Sequence, residues 1–273
     1  IEDLKEKNRQ LAEAYEALMA AQAQLIEKER LERELQVARE IQMSILPQAL
    51  PPLSGYDFGG LMVPARAVGG DFYDLILLDT DRVGIVVGDV SDKGVPSALF
   101  MAQIHALIRA EADVDASPPQ ALRRANRQLM EIGEPRLFAT VLYGILDRAT
   151  GGFTYARAGH EPPILVTEPD APQVTPCGAG QPLGLLPDPL LDERFLTIPP
   201  GGTLLLYTDG ISDGRNPAGE AFERDRVVQN TGSLYGAPGQ VVCDGLWQRL
   251  SSFQQDAPQQ DDVTLVAVHR QMA

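Results

Sequence analysis

The sequence predicts an α+β fold, with antiparallel sheets covered by helices on their outer faces and a long helix leading in. Three observations predict it. Residues 1–46 contain no Gly and no Pro. The rest carries apolar runs of strand length, punctuated by turn residues, and these pair as hairpins more often than as strand–helix–strand units. A few stretches with helical periodicity interrupt them.

Taken in order, residues 1–46 are dominated by Ala, Glu, Leu, Gln, Lys and Arg, which are good helix formers. Leu4, Leu11, Leu18 and Leu25 recur every seven residues, with Ile1, Asn8, Tyr15 and Gln22 at the other seam position. That is the heptad pattern of a parallel two-stranded coil with some polar core positions. After Leu25 the phase slips, and Leu31, Leu35, Ala38, Gln42 and Ile45 resume the stripe in a shifted register, which changes supercoil winding locally. A solvated single helix is the plainer reading, but such a helix gains little without a partner. A homodimer through the coil is therefore expected. "ILPQALPPLSG", 45–55, ends the helix through Pro47, Pro51 and Pro52, so the domains are expected at 1–46 and 47–273.

"DFGGLMV" and "FYDLILL" read as strands, and "VGIVVGDV" returns from the turn "DTDR" as a hairpin partner. "SALFMAQIHALIRAEA" has helical periodicity. "SPPQALRRANRQLMEIG" follows as a helix with Ser117 as N-cap, prolines in the first turn and Gly133 as the stop. "LFATVLYGILD", "RATG" and "GFTYARAG" form a second hairpin. Residues 167–192, rich in Pro and Gly, read as a long loop or flap. "TLLLYTD" is a buried strand ending in acid, a helix covers 237–250, and "DVTLVAVHR" is a final strand.

The net charge is −15, from 38 acids against 23 Lys plus Arg. Residues 1–46 hold ten acids and seven bases, which leaves −12 on the remainder. A nucleic-acid binder or nuclease needs clustered positive charge, so the balance argues against both. It suits divalent cations or a basic patch on a protein partner. Cys177 and Cys243 lie far apart, without metal-ligand spacing, and a reducing cytoplasm is expected. No apolar run approaches membrane-spanning length. Because the chain opens at Ile1 in mid-helix pattern, an upstream segment is expected.

Four acidic pairs carry the functional signal: Asp71/Asp74, Asp89/Asp92, Asp209/Asp213 and Asp261/Asp262. "VVGDV", "LLYTDG" and "QQDDVTLV" each attach Asp to an apolar strand. Asp is common at turns and caps, and any single pair is explained that way. That reading weakens when all four pairs sit beside apolar strands with Gly next to several of them. A buried carboxylate is costly unless paired or bound to a cation. Carboxylate and carbonyl oxygens suit Mg²⁺ and Mn²⁺, and zinc is disfavoured without clustered His or Cys.

"VGGDFYD", "GDVSDKG" followed by "PSALFMA", "AGHEPP", "YTDGISD" and "QDDVTLV" together resemble the ordered motifs of metal-dependent protein serine/threonine phosphatases. More narrowly they resemble the bacterial SpoIIE-like branch of the protein phosphatase 2C family, over roughly 38–270 and with the lead-in "AREIQMSILPQ". The resemblance implies a central antiparallel β-sandwich flanked by helices. It implies Asp89 as the carboxylate bridging two metal ions, with the Val90 carbonyl on the second. Asp209 and Asp261 become the remaining ligands of the first, and Asp71 the acid at the second. Asp213 serves a third, weaker ion, and Asp262 neighbours a ligand. It implies Mn²⁺ or Mg²⁺ holding a bridging water that attacks phosphorus. By the same analogy Arg66 grips the phosphate, with Lys93 a second candidate. His160 is considered as a proton donor to the leaving group, although a Gly-His-Glu turn commonly just packs. Asn126 is expected to be structural, "SALFMAQ" to be core packing, and both cysteines to be inert. Many relatives read Gly-His-Gly where this chain has Asp92-Lys93-Gly94, and Asn where it has Glu161. The first departure adds a carboxylate and an ammonium beside the bridging acid.

The implied substrate is a phosphoserine or phosphothreonine on a small regulatory protein, typically an anti-sigma-factor antagonist. An upstream sensor is expected to act through the coil. A nucleotide cyclase also combines two metal-binding Asp residues with a coil, but base-selecting residues and a late Arg–Asn pair are missing from the sequence. A degenerate phosphatase that only binds a partner would be expected to have lost a ligand Asp, and all of them stand.

Overall fold

The computed structural model describes residues 2–113, 115–132, 137–169 and 171–272, so Ile1 and the Gly133 stop lie outside the described residues. The chain divides into two units, Ile1–Met43 and Ser44–Ala273. The first is most of helix α1 (Glu2–Ile45). Its seam residues Leu11, Tyr15, Leu18 and Leu25 are exposed in the single chain. Spaced ion pairs lace its surface, among them Arg30–Glu34 at 3.1 Å and Arg33–Glu29 at 3.4 Å. Exposed pairs of this kind contribute about 0.3–0.5 kcal/mol each, so they support the helix without packing it.

The second unit is a sandwich of two five-stranded sheets in which every strand pair is antiparallel. One sheet contains β2 (Phe72–Leu77), β3 (Arg82–Val90), β4 (Ala139–Asp147), β5 (Gly152–Ala158) and β8 (Asp192–Thr197), in the order β2-β3-β4-β5-β8. The other contains β1 (Tyr56–Val63), β6 (Ile164–Val166), β7 (Pro172–Val174), β9 (Thr203–Tyr207) and β10 (Val263–Arg270), in the order β1-β10-β9-β6-β7. Helices α2 (Val95–Glu111) and α3 (Pro118–Ile132) cover the first sheet, and α6 (Gly239–Gln254) covers β1 and β10. Two further helices, α4 (Gly210–Asp213) and α5 (Glu223–Gly232), follow β9. With both faces covered, central strands read as unbroken apolar runs, and all five residues of β9 are buried. Leu205, Tyr207 and Leu265 pack there with Val242, Leu246 and Leu250 of α6.

Both expected hairpins form, β2 with β3 and β4 with β5. The stretch 167–192 is less of a loop than its Pro and Gly content suggests. It contains β7, and Leu183 bridges Ala139. Strand β8 is an edge strand whose residues 193–195 are exposed, so its charges hide the strand pattern while protecting the edge. Asp74 is also structural. Its carboxylate meets His105 Nε2 at 3.0 Å and Arg109 Nη1, both from α2, and so fastens that helix to β2. Burial pushes the Asp74 carboxyl up, but those two partners outweigh it and hold it below the usual range. Among the described residues no helix is long and apolar enough to cross a membrane.

Candidate metal centre

Topology alone brings the acids to one end of the sandwich. Phe72 pairs with Gly88, so Asp71 at the entry to β2 sits beside Asp89 near the end of β3. Leu265 pairs with Tyr207, so Asp261 and Asp262 ahead of β10 sit beside Thr208 and Asp209 after β9. The segment 64–71 crosses from β1 of one sheet to β2 of the other at this same end.

Asp262 joins the two halves. Its carboxylate accepts backbone N–H bonds from Ala65 at 2.8 Å, Gly70 at 2.7 Å and Asp71 at 3.4 Å. Buried and occupied in this way, Asp262 holds the crossing segment in place beside the other acids. The glycines of the motif follow from the same geometry. A Cβ on Gly69 would stand 1.9 Å from Asp262 Oδ2, and one on Gly70 would stand 2.7 Å from the Val90 carbonyl oxygen. The Val90 carbonyl therefore faces the segment that delivers Asp71. Gly210 is equally constrained, since its Cβ would lie 1.8 Å from the Asp262 carbonyl oxygen.

Six acids converge electrostatically. Burial, followed by Asp89 and Asp262, raises the Asp71 carboxyl well above its ordinary range. Burial, then Asp209 and Asp261, pushes Asp89 up to about 7, although a hydrogen bond with Asp71 opposes the rise. Desolvation by the surrounding protein, then Asp213 and Asp261, pushes Asp209 up to about 6. Asp71 also accepts a hydrogen bond from Thr208 Oγ1 at 2.7 Å, and Thr208 Oγ1 in turn accepts from Thr264 N–H at 3.0 Å. The expected ligands Asp71, Asp89, Val90, Asp209, Asp213 and Asp261 lie toward this one end of the sandwich, with Asp213 exposed.

Among the described residues, no group of three or more Asp, Glu, His or Cys side chains stands close enough to hold a metal ion. Two neighbours occupy oxygens of the acids. Thr208 takes one Asp71 oxygen, and Lys93 Nζ lies 2.9 Å from Asp261 Oδ2 while also donating to the Gln260 carbonyl. Lys93 is thus an internal cation on a candidate ligand acid. Asp92 before it has φ 69°, a left-handed conformation that Asp tolerates better than most residues. The donor set still fits Mg²⁺ or Mn²⁺. It is all oxygen, it is partly desolvated, and its mutual repulsion is the kind a divalent cation relieves.

Arg66 is exposed, one residue beyond the Ala65 N–H that Asp262 holds, and makes no ion pair among the described residues. His160 is buried with Nδ1 3.0 Å from Thr140 Oγ1, and burial pushes its imidazolium down to about 4. Neutral and buried, the ring sits as the packed residue that a Gly-His-Glu turn commonly is. Cys243 is buried with its thiol pushed up to about 12 by burial, so it is inert. Sequence reasoning did not find the Thr208 contact or the Asp262 clamp. A hydroxyl residue immediately before an Asp at the end of an apolar run was the available signal for the first.

A family model, Stage II sporulation protein E (SpoIIE), matches residues 79–271. Protein IcfG of Synechocystis sp. is 31% identical over 264 residues, covering 87% of this chain and 41% of that protein. Phosphoserine phosphatase RsbU of Bacillus subtilis is 26% identical, covering 90% of this chain and 72% of its own. Among solved structures, the SiaA-PP2C domain of Pseudomonas aeruginosa superposes with a TM-score of 0.75 at 25% identity, over 89% of this chain and 98% of that one. The RsbU and RsbW domains of Rv1364c from Mycobacterium tuberculosis superpose with a TM-score of 0.72 at 28% identity, over 83% of this chain and 63% of that one.

Proposed function

The chain belongs to the SpoIIE family, and from that membership and the converging carboxylates we propose that residues 47–273 form a metal-dependent protein serine/threonine phosphatase. One observation carries the reading. Acids from both sheets meet at one end of the sandwich, where burial and mutual repulsion raise the carboxyls of Asp71, Asp89 and Asp209. Asp89, the Val90 carbonyl, Asp71, Asp209 and Asp261 would hold two Mn²⁺ or Mg²⁺ ions, and Asp213 a third. Bound there, the metal supplies a water of lowered pKa for attack on phosphorus. Around it, Asp262 fixes the 65–71 segment, Thr208 orients Asp71, and Arg66 at the exposed rim receives the phosphate. Lys93 neutralises Asp261 and would have to release it for that carboxylate to hold a cation.

RsbU is a phosphoserine phosphatase by name, which supports phosphoserine on a protein as the substrate class, here an anti-sigma-factor antagonist in a cytoplasmic signalling pathway. The test is phosphate release from a serine-phosphorylated protein with Mn²⁺ and with chelator. Turnover is expected with Mn²⁺ alone, and equal turnover in both refutes metal dependence.

The exposed heptad leucines support a homodimer through α1, with an upstream sensor biasing coil register. A bias of a few kcal/mol is enough to shift such an equilibrium. Deleting residues 1–30 is expected to convert a dimer to a monomer in sedimentation and to change the phosphatase rate. If both stay as they were, the relay is wrong.

A further inference from the structure

One ten-residue loop beside the metal centre holds three leucines away from the core: Leu185, Leu186 and Leu190 are 52%, 42% and 63% exposed. The backbone beneath them is fixed. Gln181 N–H donates to the Leu190 carbonyl at 2.8 Å, and Leu190 N–H donates to Gln181 Oε1 at 2.8 Å, which closes the base. Leu183 exchanges both backbone hydrogen bonds with Ala139, at 2.9 and 3.0 Å. Asn126, fully buried on α3, accepts from Gly184 N–H at 2.8 Å and donates to the carbonyls of Leu186 at 2.9 Å and Pro187 at 3.2 Å. At Gly184, with φ +87°, an added Cβ would meet the Leu137 carbonyl at 3.0 Å and the Phe100 ring at 3.3 Å. A buried amide with its bonds spent on one loop gives that loop a single conformation, since leaving such groups unpaired is costly. The leucines are therefore presented outward by a rigid support.

The loop's position gives the presentation a purpose. Ala139 is the cross-strand partner of Val90, and Thr140 that of Asp89. Leu183 thus lies about two strand spacings, ~10 Å, from the end of the acid-bearing strand. Val95 and Leu99, at the start of α2 just past "GDVSDKG", are 44% and 65% exposed. Arg123 and Arg127, four residues apart on α3, are exposed beyond the loop, with Arg123 Nε 3.9 Å from Asp188 Oδ1. Rigidly held apolar groups bordered by exposed charged side chains, Arg123 and Arg127 on α3 and Asp188 in the loop, mark an interface rather than a solvated surface.

We propose that the Asn126-clamped loop 181–190 is the docking lip for the phosphoprotein substrate. Its leucines receive an apolar patch beside the phosphoserine, and Arg123 and Arg127 meet carboxylates at that patch's edge. The inference rests on the phosphatase reading above and adds the surface that selects a folded protein over a bare monoester. Asn126 acts as a positioning residue, through the loop it holds.

The test compares two substrates in Mn²⁺: p-nitrophenyl phosphate, which occupies only the phosphate site, and an intact serine-phosphorylated single-domain anti-sigma-factor antagonist. The wild type is expected to show a higher kcat/KM for the protein. Leu185→Ser/Leu186→Ser/Leu190→Ser should lower kcat/KM for the protein at least tenfold, through KM, and leave p-nitrophenyl phosphate turnover within twofold. Arg123→Glu/Arg127→Glu, which alters only exposed groups, should act in the same direction should the leucine variant fold poorly. Equal losses on both substrates, or no loss on the protein, overturn the docking role. So does a wild type with no preference for the protein, or a leucine variant that loses a dimer present in the wild type, because the face then joins two copies of the chain. A wild type inactive on both substrates sinks the phosphatase reading itself.

Discussion

Asp89→Asn is expected to lower kcat for a serine-phosphorylated substrate in Mn²⁺ by at least ~10³-fold, about 4 kcal/mol of transition-state stabilisation, without unfolding the protein. Asn is close to isosteric with Asp and can keep a hydrogen bond to Asp71, but it removes the negative charge that a cation needs at the junction of the two sheets. In the metal-free protein that charge is a burden. Burial and the proximity of Asp209 and Asp261 already push the Asp89 carboxyl up to about 7. The substitution should therefore leave the metal-free protein at least as stable as the wild type at pH 8, and lost activity together with an undiminished melting temperature assigns the loss to chemistry. Asp209→Asn should behave alike. Asp262→Asn provides the contrast. It places an amide N–H₂ among the three backbone N–H groups that the carboxylate accepts from, so its main expected effect is on stability. Near wild-type turnover by both Asp89→Asn and Asp209→Asn would return the cluster to a structural role.

The motifs of the candidate site were legible because their information is local. An apolar run ending in Asp with Gly beside it encodes a strand end, a close backbone approach and a carboxylate together, and Gly69, Gly70 and Gly210 all fill that role. What the sequence could not supply was the partner of each acid. Asp74 and Asp71 stand three residues apart in one motif, yet the first is consumed by His105 and Arg109 while the second turns to Thr208 and Asp89. Asp262 and Asp261 are adjacent just ahead of β10, yet one goes to backbone N–H groups and the other to Lys93. The fold divides in the same way. The long apolar strands and Gly-bounded hairpins were readable from periodicity. Strands β6, β7 and β8 were not, being either three residues long or too polar on their exposed faces to show alternation. Helix α5, "ERDRVVQNTG", buries only Val227, Thr231 and Gly232, which leaves little apolar pattern to detect. Asn126 looked like an ordinary helix residue because the carbonyls it binds lie about 60 positions downstream.

In chelator, the protein's stability is expected to fall as pH rises from about 4 to about 7. An Asp in the unfolded chain titrates near 4, whereas folded Asp89 and Asp209 hold their protons to about 7 and about 6. Between those limits the folded state binds more protons than the unfolded one, and linkage then requires stability to decrease with pH. For Asp89, a displacement of about three pKa units corresponds to at most about 4 kcal/mol. Asp74 works in the opposite sense. Its folded carboxyl lies below the usual range, so its contribution is present above about pH 4 and is lost only in stronger acid, outside this window. Mn²⁺ should reverse the decline, because it binds the deprotonated carboxylates and competes with protons. At a free concentration near 1,000 Kd it adds about 4 kcal/mol, which for a domain of this size raises the melting temperature by on the order of 10 °C. The rise should be large at pH 8 and small at pH 5. Thermal unfolding across that range, with and without Mn²⁺, reads both effects. A melting temperature that is flat from pH 5 to 8 in chelator and indifferent to Mn²⁺ would mean the acids neither repel one another as their placement requires nor bind a cation.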